Sequence, residues 1–271
     1  MLIDFHTHCF PDKLAPRAIA GLAYASGGMQ PHTDGTLSGL KNSMRDGGAD
    51  ISVVLGIATN AHQQHSVNDF AASINNCDDI FAFGSVYPDA GDALDELDRI
   101  KSLGLKGVKF HPEYQGFYAD DEKMKPIYKK ISSHGLITVF HAGFDYGYPA
   151  PYHCLPKNML GALRWFDSPV VAAHWGGQDC GEGVIEYLCG RDLYFDTSFG
   201  CGTMPRPVAL RIVEKHGADR LLFGTDSPWH SAAMEKNLIE TLELSDDEKN
   251  KIYCGNAKKL LGISDDRRNK S

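Results

Sequence analysis

No run in these 271 residues is long and apolar enough to cross a bilayer. Basic residues are in the minority, 27 lysines and arginines against 35 aspartates and glutamates, for a formal charge of −8. No basic face is evident, which argues against a nucleic-acid partner. The seven cysteines, Cys9, Cys77, Cys154, Cys180, Cys189, Cys201 and Cys254, are odd in number and none stands in Cys-x-x-Cys spacing. That speaks against a structural zinc ribbon and for free thiols in a reducing, cytoplasmic compartment. No signal peptide is expected, because the first apolar segment already carries Asp4, His6 and His8. A glycine-rich phosphate loop of either common type is missing, as are internal repeats and low-complexity segments. What remains is an ordinary globular composition, 42% hydrophobic and 23% charged. The expected partner is a small-molecule substrate, and a homodimer is compatible with the sequence.

Eight short β-rich runs punctuate the chain, at 2–6, 51–57, 81–87, 106–111, 136–141, 169–174, 192–198 and 220–226. Several are apolar on both parities, as parallel strands covered on both faces must be. Helical patterns separate them. Segments 93–104, 121–135 and 206–217 each end at or beside a glycine, the first half of 37–50 looks similar, and 244–263 reads as two closing helices with Asn256 as the second N-cap. Strand–helix alternation of this length predicts a distorted (β/α)8 TIM barrel, with an open doubly wound sheet as the alternative. One barrel domain is expected over 1–263, followed by a polar tail at 264–271. The Gly-, Pro- and Tyr-rich stretches 9–36 and 112–120 are expected as loops over the barrel mouth.

Five of the predicted strands end in a metal-binding residue type, in "DFHTH", "KFHPEY", "VFHAG", "AAHWGG" and "FGTDSPW". His6 and His8 stand one residue apart, so on a strand they share a face. In a parallel barrel the C-terminal strand ends converge on one rim, so His6, His8, His111, His141, His174 and Asp226 should surround one pocket. A single histidine after a strand is more often a hydrogen-bonded core residue than a ligand. Several buried imidazoles and a carboxylate together would cost several kcal/mol without partners, and a bound cation accounts for them.

"DFHTH", "FHAG", "AHWGG", "FGTDSPW" and the closing "GNAKKLLG" together resemble the amidohydrolase superfamily, and within it the amidohydrolase-2 group, whose members are similar to aminocarboxymuconate-semialdehyde decarboxylase. The resemblance spans nearly the whole chain. It implies a distorted barrel with one divalent metal, usually zinc, held by His6, His8, His141 and Asp226. His174 would stand beside it as an acid/base or carbonyl-polarising group. Members with two metals use a carboxylated lysine or a glutamate at the fourth strand. Here that strand reads "GVKFHPEY", where Lys109 and His111 share a parity and Glu113 follows. One metal is favoured, with a second, weaker site at Lys109, His111 or Glu113 left open.

The expected activity is that of a metal-dependent hydrolase acting on a small amide, ester or lactone through a metal-activated water. The alternative is a lyase, a decarboxylase or hydratase of a small unsaturated or aromatic acid. Asp226 and His174 carry proton transfer in either case. Substrate recognition falls to rim residues: His111, Tyr114, Gln115 and Tyr118; Tyr146, Tyr148, Tyr152 and His153; Trp175, Trp229 and Arg206. Arg206 is the one obvious cation for a substrate carboxylate, although helix-start surface is the commoner role. His62 and His65 are expected to face solvent, and His134 and His216 to suit the negative ends of helices. Asp196 either orients a rim group or forms a turn, His230 is undecided, and nothing beside Cys180 marks a catalytic thiol.

Overall fold

A computed structural model describes residues 1–264. Eight parallel strands form, one from each predicted run: β1 (Ile3–Thr7), β2 (Ile51–Leu55), β3 (Ile80–Phe83), β4 (Gly107–Phe110), β5 (Ile137–Phe140), β6 (Val170–Ala172), β7 (Tyr194–Asp196) and β8 (Leu221–Leu222). β1–β3 make one ladder and β4–β8 another. Two seams join them into a closed (β/α)8 barrel. At the first, the Gly84 N–H donates to the Gly107 carbonyl (2.9 Å) and the Gly84 carbonyl accepts from Lys109 (2.8 Å). At the second, Phe5, His8 and Asp226 donate to Phe223, Ser227 and His6 at 2.6–2.8 Å. Gly107 is required here, since a Cβ would overlap the Ile137 carbonyl and the Phe83 ring.

The strands sort their side chains into two apolar shells. Ile3, Phe5, Val53, Leu55, Phe81, Phe83, Ile137, Val139, Val171 and Leu222 fill the barrel interior, capped by Cys254, Ala257, Leu261 and Ile263 from the end of the chain. Val54, Ala82, Val108, Phe110, Phe140, Ala172, Phe195 and Phe223 face outward onto the helices. The helices are α1 (Ala15–Ala25), α2 (Leu37–Gly47), α3 (Gln64–Ile74), α4 (Ala93–Ser102), α5 (Pro112–Gln115), α6 (Lys125–Ser133), α7 (Pro156–Leu163), α8 (Gly181–Tyr187), α9 (Arg206–His216), α10 (Ala232–Glu240), α11 (Asp246–Asn250) and α12 (Asn256–Leu261). No helix among the described residues is long and apolar enough to cross a membrane.

Three expectations are corrected. The stretch 9–36 is not all loop: α1 starts there, with Pro16 preset for a first helical turn and alanines following. A single turn, α5, likewise interrupts 112–120. Asn256 is no N-cap. A π-helical turn, Lys251–Gly255, runs straight into α12, and the buried Asn256 amide instead donates to the Ala218 and Leu221 carbonyls, tying the closing segment to β8. The strands other than β1 are also shorter than predicted at their C-terminal ends, because the chain leaves the ladder where it delivers functional side chains, whereas β1 runs one residue further, to Thr7. The tail beyond Ser264 lies outside the described residues.

Backbone strain is concentrated at that rim. Of seven non-glycine residues with left-handed φ among the described residues, five are His174 (59°), Trp175 (58°), Asp179 (55°), Phe199 (58°) and Asp226 (62°). Each such conformation costs on the order of 1–3 kcal/mol and survives only where the surroundings enforce it.

Candidate metal centre

β1 presents both histidines because it carries one extra residue. Asp4 pairs with Ser52 but Thr7 pairs with Val54. The bulge lets Phe5 stay in the interior shell, edge-on to Phe83 (5.9 Å between centroids), while the adjacent His6 also turns inward. Asp4 clamps the neighbouring seam, accepting from the Thr225 N–H (3.0 Å) and hydroxyl (2.7 Å). That places Asp226 opposite the histidines.

His6 Nε2, His8 Nε2 and Asp226 Oδ1 lie 3.1–3.2 Å from one another. Donor atoms of His6, His174 and Asp226 all fall within 4.8 Å of one another, and His174 Nε2 is 3.1 Å from His141 Nδ1. The structure therefore brings His6, His8, Asp226 and His174 together, and His141 adjoins this group through His174.

The outer side of each ring decides which nitrogen carries its proton, a tautomer assigned from partner chemistry. His8 Nδ1 meets the Leu55 carbonyl at 2.7 Å and His141 Nε2 meets the Phe144 carbonyl at 3.1 Å. A carbonyl only accepts, so both nitrogens are N–H donors. His6 Nδ1 donates to Asp196 Oδ2 (2.8 Å). His174 Nδ1 donates to Ser198 Oγ (2.9 Å), whose own hydroxyl donates to Asp196 Oδ1 (2.5 Å). Rings held this way turn His6 Nε2, His8 Nε2 and His174 Nε2 toward the Asp226 carboxylate, with the Lys109 ammonium also 3.2 Å from His6 Nε2 and His141 Nδ1 facing His174. Facing lone pairs at 3.1–3.2 Å repel, and a divalent cation among them removes the repulsion. This is the donor set such an ion takes, with the second nitrogen of each ring anchored.

The electrostatics agree. Burial, with help from the Lys109 ammonium for His6, holds His6, His141 and His174 well below the ordinary imidazole range, in the neutral form that ligates metal. Burial alone would push the Asp226 carboxyl up, but His6 and His8 outweigh it and keep it low and ionised. Lys109 is fully buried with Nζ 3.2 Å from His6 Nε2, and burial brings its pKa down to about 8.

A second cluster, His111, His141 and Asp145, also gathers metal-binding types. It is the poorer metal site, because His141 turns its N–H side that way. Asp145 instead accepts from His111 Nε2 (3.1 Å), and His111 is stacked between Tyr114 (4.0 Å) and His141 (4.2 Å). Glu113 is buried, its Oε1 accepting from the His153 N–H (2.8 Å) and its Oε2 3.6 Å from His111 Nδ1. Burial pushes its pKa up to about 7.

Other sequence candidates fall elsewhere. Arg206 is not brought to the centre: it is 44% exposed at the start of α9, donating to the Thr241 carbonyl (2.7 Å) and to Glu243 (3.0 Å). Gln115 is buried and spent on backbone, donating to Ala58 and Val86 and accepting from the His111 N–H. Tyr118, Tyr146 and Tyr148 are exposed on the rim. Trp175 is buried, and Gly200 lies against its indole nitrogen so closely that any Cβ there would collide. His62 and His65 are exposed, the latter pairing with Asp92 and Glu96. His216 corrects the helix-dipole reading. It is buried against Phe195 (4.0 Å), bonded to the Leu193 carbonyl and the Gly190 N–H, and burial brings its pKa down to about 4, so it is neutral. Asp196 proves to be the orienting group, with Ser198. Its signal was the alternation "DTS", which puts both on one strand face. Asp145 was missed, although it stands four residues after His141. His230 donates to the buried Glu235 (2.5 Å) and stacks on Phe199 (4.3 Å), while Glu235 accepts from the Gly200 and Cys201 N–H groups.

A family model described as "Amidohydrolase" matches residues 3–263. The chain belongs to that amidohydrolase family. No curated protein matches it. Solved structures do share its fold. A TIM-barrel protein from Bordetella bronchiseptica is 21% identical with a TM-score of 0.76, over 96% of this chain and 98% of that one. 5-Carboxyvanillate decarboxylase from Sphingomonas paucimobilis is 17% identical (TM-score 0.71; 97% and 99% covered). Dihydroxybenzoic acid decarboxylase from Polaromonas, with bound manganese and an inhibitor, is 16% identical (TM-score 0.71; 97% of each chain).

Proposed function

We propose that this amidohydrolase is a lyase, a metal-dependent decarboxylase of an aromatic or unsaturated carboxylic acid. This departs from the hydrolase expected from sequence. The observation that carries it is the buried Lys109 ammonium at 3.2 Å from His6, a cation set inside the acceptor cluster and suited to an anionic substrate. The decarboxylases among the structural neighbours support the same reading.

His6, His8, His141 and Asp226 would hold one divalent ion, and three nitrogen donors with one carboxylate suit zinc. The ion would supply an electrophile that binds the acid's oxygens and stabilises negative charge as the carbon–carbon bond breaks. Asp196 and Ser198 fix the tautomers of His6 and His174, so their inward nitrogens stay unprotonated. Asp226, partly open to solvent, takes up a proton and delivers it to the carbon that carbon dioxide leaves. The acid R–CO2⁻ plus that proton gives R–H and carbon dioxide, and the Asp226 carboxylate is restored. His174 offers its bare Nε2 to a substrate hydroxyl. His111, Tyr114 and Trp175 form wall. Lys109, His111 and Glu113 serve as charge and wall rather than as a second metal site.

Hydrolysis of a small amide, ester or lactone is the second reading, favoured by Asp226 being ionised and able to accept a water proton. The test is protein stripped by chelator, reloaded with zinc or manganese, and screened against aromatic and unsaturated acids and against lactones, amides and esters. Metal-restored carbon dioxide release is expected. Hydrolysis without carbon dioxide release overturns the lyase in favour of the hydrolase, and failure to bind a divalent ion overturns both.

A further inference from the structure

Beside the metal centre, not over it, lies a cavity of about 750 Å3 between α7, α8 and the start of α9. His174 and Trp175 form its inner wall, while His6, His8, His141 and Asp226 take no part in its lining. Its broad surfaces are aromatic and aliphatic: Phe144, Trp175, Phe199, Met204 and Val208. Three polar groups near its inner end engage one another, while the buried Trp175 indole N–H has no partner among the described residues. Gln178 Nε2 donates to the Tyr146 hydroxyl (3.0 Å), which donates to Asp179 (2.7 Å).

We propose that this cavity receives a second aromatic ring, or an equally bulky apolar body, of the substrate. The inference rests on the acid-decarboxylase reading and extends it from a one-ring acid to a larger one. Continuity is the first argument. A molecule whose carboxylate occupies the metal centre beside His174 has this cavity as its neighbour, because His174 borders both. Surface chemistry is the second: flat aromatic walls bury a planar ring by offset or edge contact, and Gln178, Tyr146 and Asp179 at the inner end bond to one another rather than facing an apolar guest unpaired. Size is the third. The volume falls within the roughly 300–1,000 Å3 of pockets that take drug-sized ligands, more than a single ring needs.

The test is calorimetric titration of the zinc-loaded protein with benzoate, 2-naphthoate, biphenyl-4-carboxylate and the neutral biphenyl-4-methanol. Affinity should rise at least tenfold from benzoate to biphenyl-4-carboxylate. Met204→Trp and Val208→Trp, which fill the cavity from half-buried positions, should each abolish the rise and leave benzoate binding within twofold of wild type. Met204→Ala, which enlarges the space without overpacking, should preserve it. Equal affinity for benzoate and biphenyl-4-carboxylate in the wild-type protein overturns the proposal, as does a rise that survives both tryptophan variants, or no binding by any probe. Tight, tryptophan-sensitive binding of biphenyl-4-methanol with no preference for the acids upholds the cavity and overturns the acid reading instead.

Discussion

Replacing Asp196 by asparagine tests the centre at the residue that touches no metal. The wild-type carboxylate is buried and acts only as an acceptor: Oδ2 from His6 Nδ1 at 2.8 Å, and Oδ1 from the His174 N–H (3.1 Å), the Ser198 N–H (3.1 Å) and the Ser198 hydroxyl (2.5 Å). An asparagine has one acceptor oxygen and one donor group. If the oxygen faces His6, the NH2 confronts two backbone N–H donors. If it faces the backbone, the NH2 confronts His6 Nδ1–H, and that ring must shift its proton to Nε2, the nitrogen proposed as the metal ligand. One charge-assisted hydrogen bond is worth about 1.5–3 kcal/mol. Loss of such an outer partner typically lowers metal affinity roughly 10–100-fold, about 1.4–2.7 kcal/mol, in the same range. Competition against a chromogenic chelator should therefore show zinc binding weakened by one to two orders of magnitude, with native circular dichroism retained. An Asp196→Asn protein with wild-type zinc affinity would refute the argument that Asp196 sets the His6 tautomer.

His8→Ala and Asp226→Asn should each abolish turnover and bound metal, read by elemental analysis, whereas the exposed His62→Ala should leave both intact. Arg206→Ala should change neither KM nor kcat and should alter stability by less than about 0.5 kcal/mol, since its partners Thr241 and Glu243 lie at the surface; a raised KM would put it back in the substrate site. His216 gives a pH signature. Its folded pKa of about 4 lies below the unfolded value, so its full contribution is present above about pH 6.5 and is lost as pH falls toward 4. His216→Gln should therefore lose about 2–3 kcal/mol less than wild type between pH 7 and pH 4.5 in urea unfolding. Parallel losses in the two proteins would show that the buried imidazole does not titrate this way.

Eight strands and the residues at their ends were legible because both signals are local: runs of β-branched and aromatic residues, and histidines or aspartate placed just after them. The closing topology then obliges those ends to meet, so His6, His8, His141, His174 and Asp226 could be named before any fold was known. Local pattern could not rank side chains of equal chemistry. Arg206 and Asp196 both follow or end β7 and both looked ambiguous, yet one pairs with Glu243 at the surface and the other orients His6 and His174 from inside. Gln115 and Tyr114 are neighbours, but only the tyrosine stacks on His111.

The sequence by itself determined the period, the order of the elements and the chemistry carried at each strand end, since these depend on residues near one another in the chain. Only the tertiary structure decided the bulge that turns Phe5 and His6 to the same side, the outer hydrogen bonds that assign every ring its tautomer, and the lateral cavity behind His174. Apart from the local His141–Phe144 bond, these depend on partners tens to hundreds of residues away, and on which of several nearly equal contacts close packing lets a side chain reach.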